Sequence, residues 1–272
     1  MQSKRRATVA RQRMHHSGQM VHLRVQLTSL ARHHPYRLVA VVEGGVIVVY
    51  LLARGVAALA DVSAPWPTAI AYAAMSIVVV VVLRAMGWGS RIGLHRLSRR
   101  RDALYFLPAL LPVLINVGAG LEISSLPVVA GLLLLALMVG IVEESVFRGL
   151  ILRALEPRGV RMAVLVSAVL FGLSHLLTLL AGKSLVDAGA QAFYATALGF
   201  AFAALVWRTG VIWPLIAIHA LIDLASFLQK PTETTAHASP VIVIVVALVY
   251  GSYGLLLLRG AGRRTPDVIR TA

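Results

Sequence analysis

Long stretches without a charged side chain constrain this chain of 272 residues more than any other feature. A helix needs about 20 apolar residues to cross the ~30 Å hydrocarbon core of a bilayer. Runs of that length recur along the sequence, and continuous apolarity favours helices over the short alternating strands of a barrel. The uncharged runs are 62–83, 103–121, 123–142, 188–207 and 238–258, with 162–182 interrupted only by His175.

Two weaker runs complete the set of predicted spans. Residues 38–59 and 211–228 are apolar but carry two ionisable side chains each. Together the runs predict an all-α, polytopic membrane protein with about eight transmembrane helices. Residues 1–37 would form a basic cytoplasmic arm, 38–258 the transmembrane domain and 259–272 a basic cytoplasmic tail.

The distribution of basic residues predicts the orientation of these spans. The formal net charge is +15, and 22 of the 26 Lys and Arg residues precede the first run, lie in or around alternate loops, or follow the last run. Basic residues concentrate on the cytoplasmic side of membrane proteins, so both termini are expected in the cytoplasm. The Ala-, Val-, Leu- and Arg-rich composition favours a bacterial plasma membrane.

The same distribution of basic residues predicts which partner the N-terminal arm contacts. We expect the N-terminal arm to contact anionic lipid headgroups rather than nucleic acid. The alternative is a solvated arm with no partner. The chain contains no cysteine, which excludes disulfides, thiolate metal ligands and a thiol nucleophile.

Ionisable residues inside the predicted spans concentrate in three helices. Because such groups are costly at membrane depth, each is a candidate for function. The fourth span contains Glu143, Glu144 and Arg148, the fifth contains His175, and the seventh contains His219 and Asp223.

The spacing of these residues suggests how they pair. Glu144 and Arg148 are four residues apart on one helix face and can neutralise each other, which leaves Glu143 free to act. His219 and Asp223 are also four apart, so the carboxylate could bond the imidazole and fix its tautomer. Brought to one depth, the groups could activate water and stabilise an oxyanion, or bind a metal.

Each motif alone has a purely structural interpretation. The two glutamates with the arginine could form a salt bridge at the cytoplasmic surface. The single His175 could be a packing residue, and His219 with Asp223 could clamp two helices together. All three motifs fall within 81 residues and lie on separate spans, which favours one shared site.

The ordered motifs resemble those of the CAAX-protease and bacteriocin-processing (CPBP, or Abi) family of intramembrane endopeptidases. The resemblance covers residues 130–228. It rests on Glu-Glu-x-x-x-Arg, then Phe-x-x-x-His, then His-x-x-x-Asn or Asp, formed here by Glu143, Glu144 and Arg148, by Phe171 and His175, and by His219 and Asp223.

The resemblance implies a role for each residue. Glu143 with His175 would activate the attacking water, Glu144 with Arg148 would hold the first motif in shape, and His219 with its partner would support the oxyanion. Relatives include metalloproteases and metal-independent glutamate proteases. His175, His219 and Asp223 are therefore candidate ligands for one divalent metal such as zinc, and the sequence lacks the His-Glu-x-x-His motif of ordinary zinc proteases.

Asp223 departs from the family pattern, because many relatives carry Asn there. An amide can donate to an oxyanion, whereas an ionised carboxylate only accepts. Asp223 must therefore be protonated, orient His219 or bind a metal.

The sequence thus predicts an endopeptidase that cleaves a membrane-associated protein or peptide. Most bacteria do not prenylate proteins, so a CAAX substrate is an analogy. The alternatives are a non-catalytic scaffold or regulator and a small proton-coupled transporter.

Overall fold

The computed structural model describes residues 21, 24–62, 66–230 and 240–259. Within these ranges the chain forms eight long helices and no strand. The helices are α1 Pro35–Leu59, α2 Trp66–Met86, α3 Arg100–Gly118, α4 Leu126–Arg158, α5 Val160–Ala181, α6 Leu185–Thr209, α7 Trp213–Phe227 and α8 Pro240–Arg259.

Seven of these helices are long and apolar enough to cross a membrane, while α7 is shorter, with 15 residues. At about 1.5 Å per residue α7 extends only some 22 Å. Each predicted apolar run coincides with one helix, so the all-α, polytopic prediction is confirmed. The chain is a multi-pass membrane protein.

Most of the basic arm and of the C-terminal tail lies outside the described residues. Their contact with lipid, the domain bounds and the cytoplasmic position of both termini stay predictions. Within the described part of the arm, residues 24–33 are helical, and Ala31 among them is buried.

Three helices depart from regular α geometry. The first part of α3, Arg100–Leu110, is a 3₁₀-helix that contains Pro108, and α5 tightens into a 3₁₀-helix from His175 onward. Residues Glu144–Ile151 of α4 form a π-helix, in which the amide of Leu152 bonds the carbonyl of Phe147 five residues earlier. Such π segments are frequent at functional sites. The apolar runs in the sequence contain no signal for these changes.

The helices pack around α4, α6 and α7. Helix α6 lies against α5 and α8, α4 packs along α7 and α2, and α1 pairs with α2. The start of α7 is fixed by a contact between two loops, in which the amide of Ile212 bonds the carbonyl of Gly93 at 3.2 Å. Gly93 has φ +93°, and a Cβ there would lie 2.5 Å from the carbonyl oxygen of Gly210. Only glycine permits this approach.

Gly140 determines how closely α7 approaches α4. A Cβ at this position would lie 2.8 Å from the carbonyl oxygen of Ile216 and 3.6 Å from the Cβ of His219. The absence of a side chain at 140 therefore lets α7 carry His219 against the glutamates of α4.

Replacement of this glycine tests the helix contact. We expect Gly140→Ala to lower the free energy of unfolding in detergent by about 1–3 kcal/mol, because the added methyl group overpacks the α4–α7 interface. Gly131→Ala on the same helix is the matched control, since no atom lies within 4 Å of its Cβ position. Alanine there should stabilise the helix by about 0.5–1 kcal/mol. Equal effects of the two variants would contradict the close packing.

Candidate active site

The ion pair of Glu144 and Arg148 is the fully buried part of the site. Nη1 of Arg148 lies 3.1 Å from Oε1 of Glu144, and both side chains have no solvent exposure. Both residues lie in the π segment of α4. The pairing that the four-residue spacing predicts is therefore present, within the protein interior rather than at the cytoplasmic surface.

Aromatic rings enclose the guanidinium of Arg148. Its central carbon lies 4.0 Å from the ring centroid of Phe171, 5.5 Å from that of Phe202 and 6.0 Å from that of Phe147. Cation–π attraction is strongest where water is excluded. Gly199 leaves room for this packing, since a Cβ there would lie 3.2 Å from Nη2 of Arg148.

Phe171 connects the arginine to both histidines. Its ring makes edge-on contacts with His175 and His219, with centroids 4.9 and 6.0 Å apart. Its carbonyl oxygen lies 2.8 Å from Nδ1 of His175. Donation by Nδ1 leaves Nε2 of His175 as the ring atom available to accept a proton. The Phe-x-x-x-His motif thus orients His175 within one helical turn.

His219 is held by Glu144. Its Nδ1 lies 2.8 Å from Oε1 of Glu144 and donates to it, so one carboxylate oxygen joins His219 to Arg148. The spacing on α7 points to Asp223 as the partner of this imidazole. In the structure Glu144 is instead the hydrogen-bond partner of the imidazole, because α7 packs against α4 at Gly140.

The second nitrogen of His219 faces two carboxylates. Its Nε2 lies 3.5 Å from Oε2 of Glu143 and 3.7 Å from Oδ2 of Asp223. These distances exceed those of good hydrogen bonds. The site therefore contains three carboxylates around one imidazole.

Glu143 has a partner that the sequence motifs do not include. The hydroxyl of Tyr72 on α2 donates to Oε1 of Glu143 at 2.6 Å. The close hydrogen bond of His175 is to the carbonyl oxygen of Phe171. A tyrosine hydroxyl inside an apolar run needs a bonding partner, and this requirement is the signal that would have found Tyr72.

Buried polar atoms without a hydrogen-bond partner concentrate in this site. Among the described residues they include one oxygen each of Glu143, Glu144 and Asp223, and Nε and Nη2 of Arg148. Buried polar groups are normally satisfied, so each exception calls for an explanation, and a catalytic role is one. Oε2 of Glu143 and Oδ2 of Asp223 both face His219.

The arrangement does not match a metal centre. In the part of the chain that the structure describes, no group of three His, Asp or Glu side chains is placed to hold a metal ion. Nδ1 of His175 and Nδ1 of His219 both donate to protein oxygens, which leaves Nε2 as the nitrogen of each ring that could bind a metal. The candidate zinc ligands His175, His219 and Asp223 therefore stay a prediction.

Comparison with known proteins gives one family match. Residues 125–225 match the family model described as "Type II CAAX prenyl endopeptidase Rce1-like". Over this segment the chain is similar to the Rce1-like family. No curated protein and no solved structure matches the chain.

The Rce1-like segment includes all six candidate site residues. It covers α4, α5, α6 and most of α7, and therefore Glu143, Glu144, Arg148, His175, His219 and Asp223. The match confirms the resemblance drawn from the three motifs and supports a protease. Tyr72 lies outside the matched segment.

Proposed function

We propose that this chain is an intramembrane endopeptidase in which Glu143 activates a water molecule. The observation that carries the proposal is that the two oxygens of this carboxylate have different surroundings. Tyr72 binds Oε1, while Oε2 is buried, has no hydrogen-bond partner and faces His219. A general base requires such a positioned but unengaged acceptor.

The reaction proceeds through a tetrahedral intermediate. Oε2 of Glu143 takes a proton from water, the water oxygen bonds to the carbonyl carbon of the substrate, and the carbonyl oxygen becomes an oxyanion. Nε2–H of His219, when that imidazole is protonated, donates to the oxyanion. Glu143 then passes its proton to the amide nitrogen, the C–N bond breaks, and the products are a carboxylic acid and an amine.

Three other residues support this chemistry. Nε2 of His175 can accept a hydrogen bond from the same water and direct its lone pair towards the substrate. Glu144 keeps the proton on Nδ1 of His219, and Arg148 balances the charge of Glu144. Glu144 and Arg148 thus fix the orientation of His219 before substrate binds. The side chains of the site then need little reorganisation during the reaction.

Two other functions compete with this proposal. A non-catalytic scaffold would need no unengaged carboxylate beside two oriented imidazoles. A proton-coupled transporter typically has repeated halves with broken helices that meet at its binding site. The family match and the arrangement at Glu143 favour the endopeptidase.

The substrate we propose is a membrane-associated protein or peptide, cleaved in a bacterial plasma membrane. The family description refers to CAAX prenyl endopeptidases, and we infer only the shared feature of a substrate held at the membrane. Quantitative proteomics of membranes containing the wild type or Glu143→Gln identifies it. A protein that accumulates uncleaved only with the variant is the expected result; identical peptide profiles would contradict the proposal.

Asp223 offers a test of mechanism. If Asp223 orients His219 as an anion or binds a metal, Asp223→Asn should lower kcat, because the amide carries no charge. A protonated Asp223 that donates to the oxyanion would instead be replaced by Asn without loss. We expect a loss of kcat, measured beside the metal content of the purified protein. Stoichiometric zinc that disappears in His175→Ala and Asp223→Ala would replace our mechanism with a metalloprotease.

A further inference from the structure

Tyr72 contacts the reacting carboxylate from a helix outside the Rce1-like segment. It lies on α2, 71 residues before Glu143 in the sequence. The family match begins at residue 125 and therefore gives no role to α2. The hydrogen bond between Tyr72 and Glu143 joins the matched core to the preceding helices.

The length of this hydrogen bond indicates a strong interaction. The Tyr72 oxygen lies 2.6 Å from Oε1 of Glu143. Bonds between a hydroxyl and an ionised carboxylate have lengths of about 2.5–2.7 Å and are roughly twice as strong as neutral ones. The bond occupies one oxygen of Glu143 and leaves the other to face His219.

The position of Tyr72 is fixed by its own helix. Ala71 and Met75 beside it are buried, and the hydroxyl of Ser76 bonds the carbonyl oxygen of Tyr72 at 2.7 Å. Helix α2 packs directly on α4. The backbone that carries Tyr72 is thus part of a regular helix that packs on the helix of Glu143.

We propose that Tyr72 is a positioning residue for proteolysis, which holds Glu143 in the rotamer that presents Oε2 to water. This inference rests on the proposed function of Glu143 as the base. Without the hydroxyl, the carboxylate can rotate towards Nε2 of His219, 3.5 Å away. A direct ion pair there would occupy the oxygen that has to accept the proton.

The test replaces one hydroxyl. Tyr72→Phe keeps the ring and should lower kcat roughly 10- to 100-fold, as expected for loss of a hydrogen bond to a charged group, with KM unchanged. Tyr253→Phe is the matched control. Its hydroxyl, also half-buried, donates to the carbonyl oxygen of Tyr105 at 2.5 Å, away from the site. The control should retain full kcat.

A spectroscopic measurement separates this role from packing. The carboxyl stretching band of Glu143 is identified in infrared difference spectra by its loss in Glu143→Gln. It should shift in Tyr72→Phe and stay in place in Tyr253→Phe. An unshifted band, unchanged kcat in Tyr72→Phe or an effect on KM alone would each overturn the inference.

The outcomes also distinguish this inference from the proposed function. If Glu143→Gln retains normal turnover, the proposed function fails, whatever Tyr72→Phe does. If Glu143→Gln loses activity while Tyr72→Phe keeps its kcat, only the positioning role fails. The infrared band tests the contact itself and needs no knowledge of the substrate.

Discussion

Glu143→Gln is expected to lower the rate of peptide-bond cleavage by roughly 10²- to 10⁴-fold, the usual cost of losing a positioned general base. The amide has the shape of the carboxylate and can still accept a bond from Tyr72, but it cannot take a proton from water. Turnover of the substrate found by proteomics, measured in detergent or in vesicles, gives the rate. Thermal unfolding should be close to that of the wild type.

Glu43 provides a matched control for this substitution. It is another glutamate within a membrane-spanning helix, α1, and one of its oxygens is also buried without a hydrogen-bond partner. Glu43→Gln should therefore remove a membrane-embedded carboxylate without lowering the rate of peptide-bond cleavage. Near-normal turnover of Glu143→Gln would remove Glu143 from the mechanism. An equal loss in both variants would indicate a general effect of removing charge.

The sequence predicts the helices of this protein well because the bilayer imposes a simple rule. Every backbone polar group must be satisfied within a span, so an uncharged run of about 20 residues becomes a helix. Local geometry is not predictable in this way. The π-helix at Glu144–Ile151 and the 3₁₀ start of α3 depend on packing between helices, which apolar composition does not encode.

The candidate site shows the same limit. The pairing of Glu144 with Arg148 follows from a four-residue spacing on one helix and is present in the structure. The bond between Glu144 and His219 joins residues 75 positions apart. No periodicity within a helix reports such a contact, because it depends on how closely α7 approaches α4 at Gly140.

Motifs identify residues, whereas the structure identifies their neighbours. The three short motifs name every candidate site residue on α4, α5 and α7. They cannot name Tyr72, because α2 contributes a single hydroxyl to the site. Phe171 is part of a motif, but its contact with the Arg148 guanidinium becomes visible only in three dimensions.

Arg148→Met is expected to lower the free energy of unfolding by roughly 3–5 kcal/mol, the largest loss of stability we predict. Removal of one partner of a buried ion pair leaves the other charge uncompensated. Here Glu144 would keep only the bond from His219. Methionine fills much of the volume between the aromatic rings, so the loss reports charge more than cavity formation. Arg84→Met on α2 is the control, because Arg84 is exposed and its replacement should leave stability almost unchanged.

The double variant Glu144→Gln with Arg148→Met tests whether the pair is the cause. Because no buried charge is then left without its partner, the double variant should be more stable than Arg148→Met alone, although a second residue has been changed. Additive losses would show that the two residues act independently and that Arg148 stabilises the fold through its aromatic contacts. Even when stability is recovered, activity should stay low, because an amide at 144 holds the Nδ1 proton of His219 less strongly than a carboxylate does.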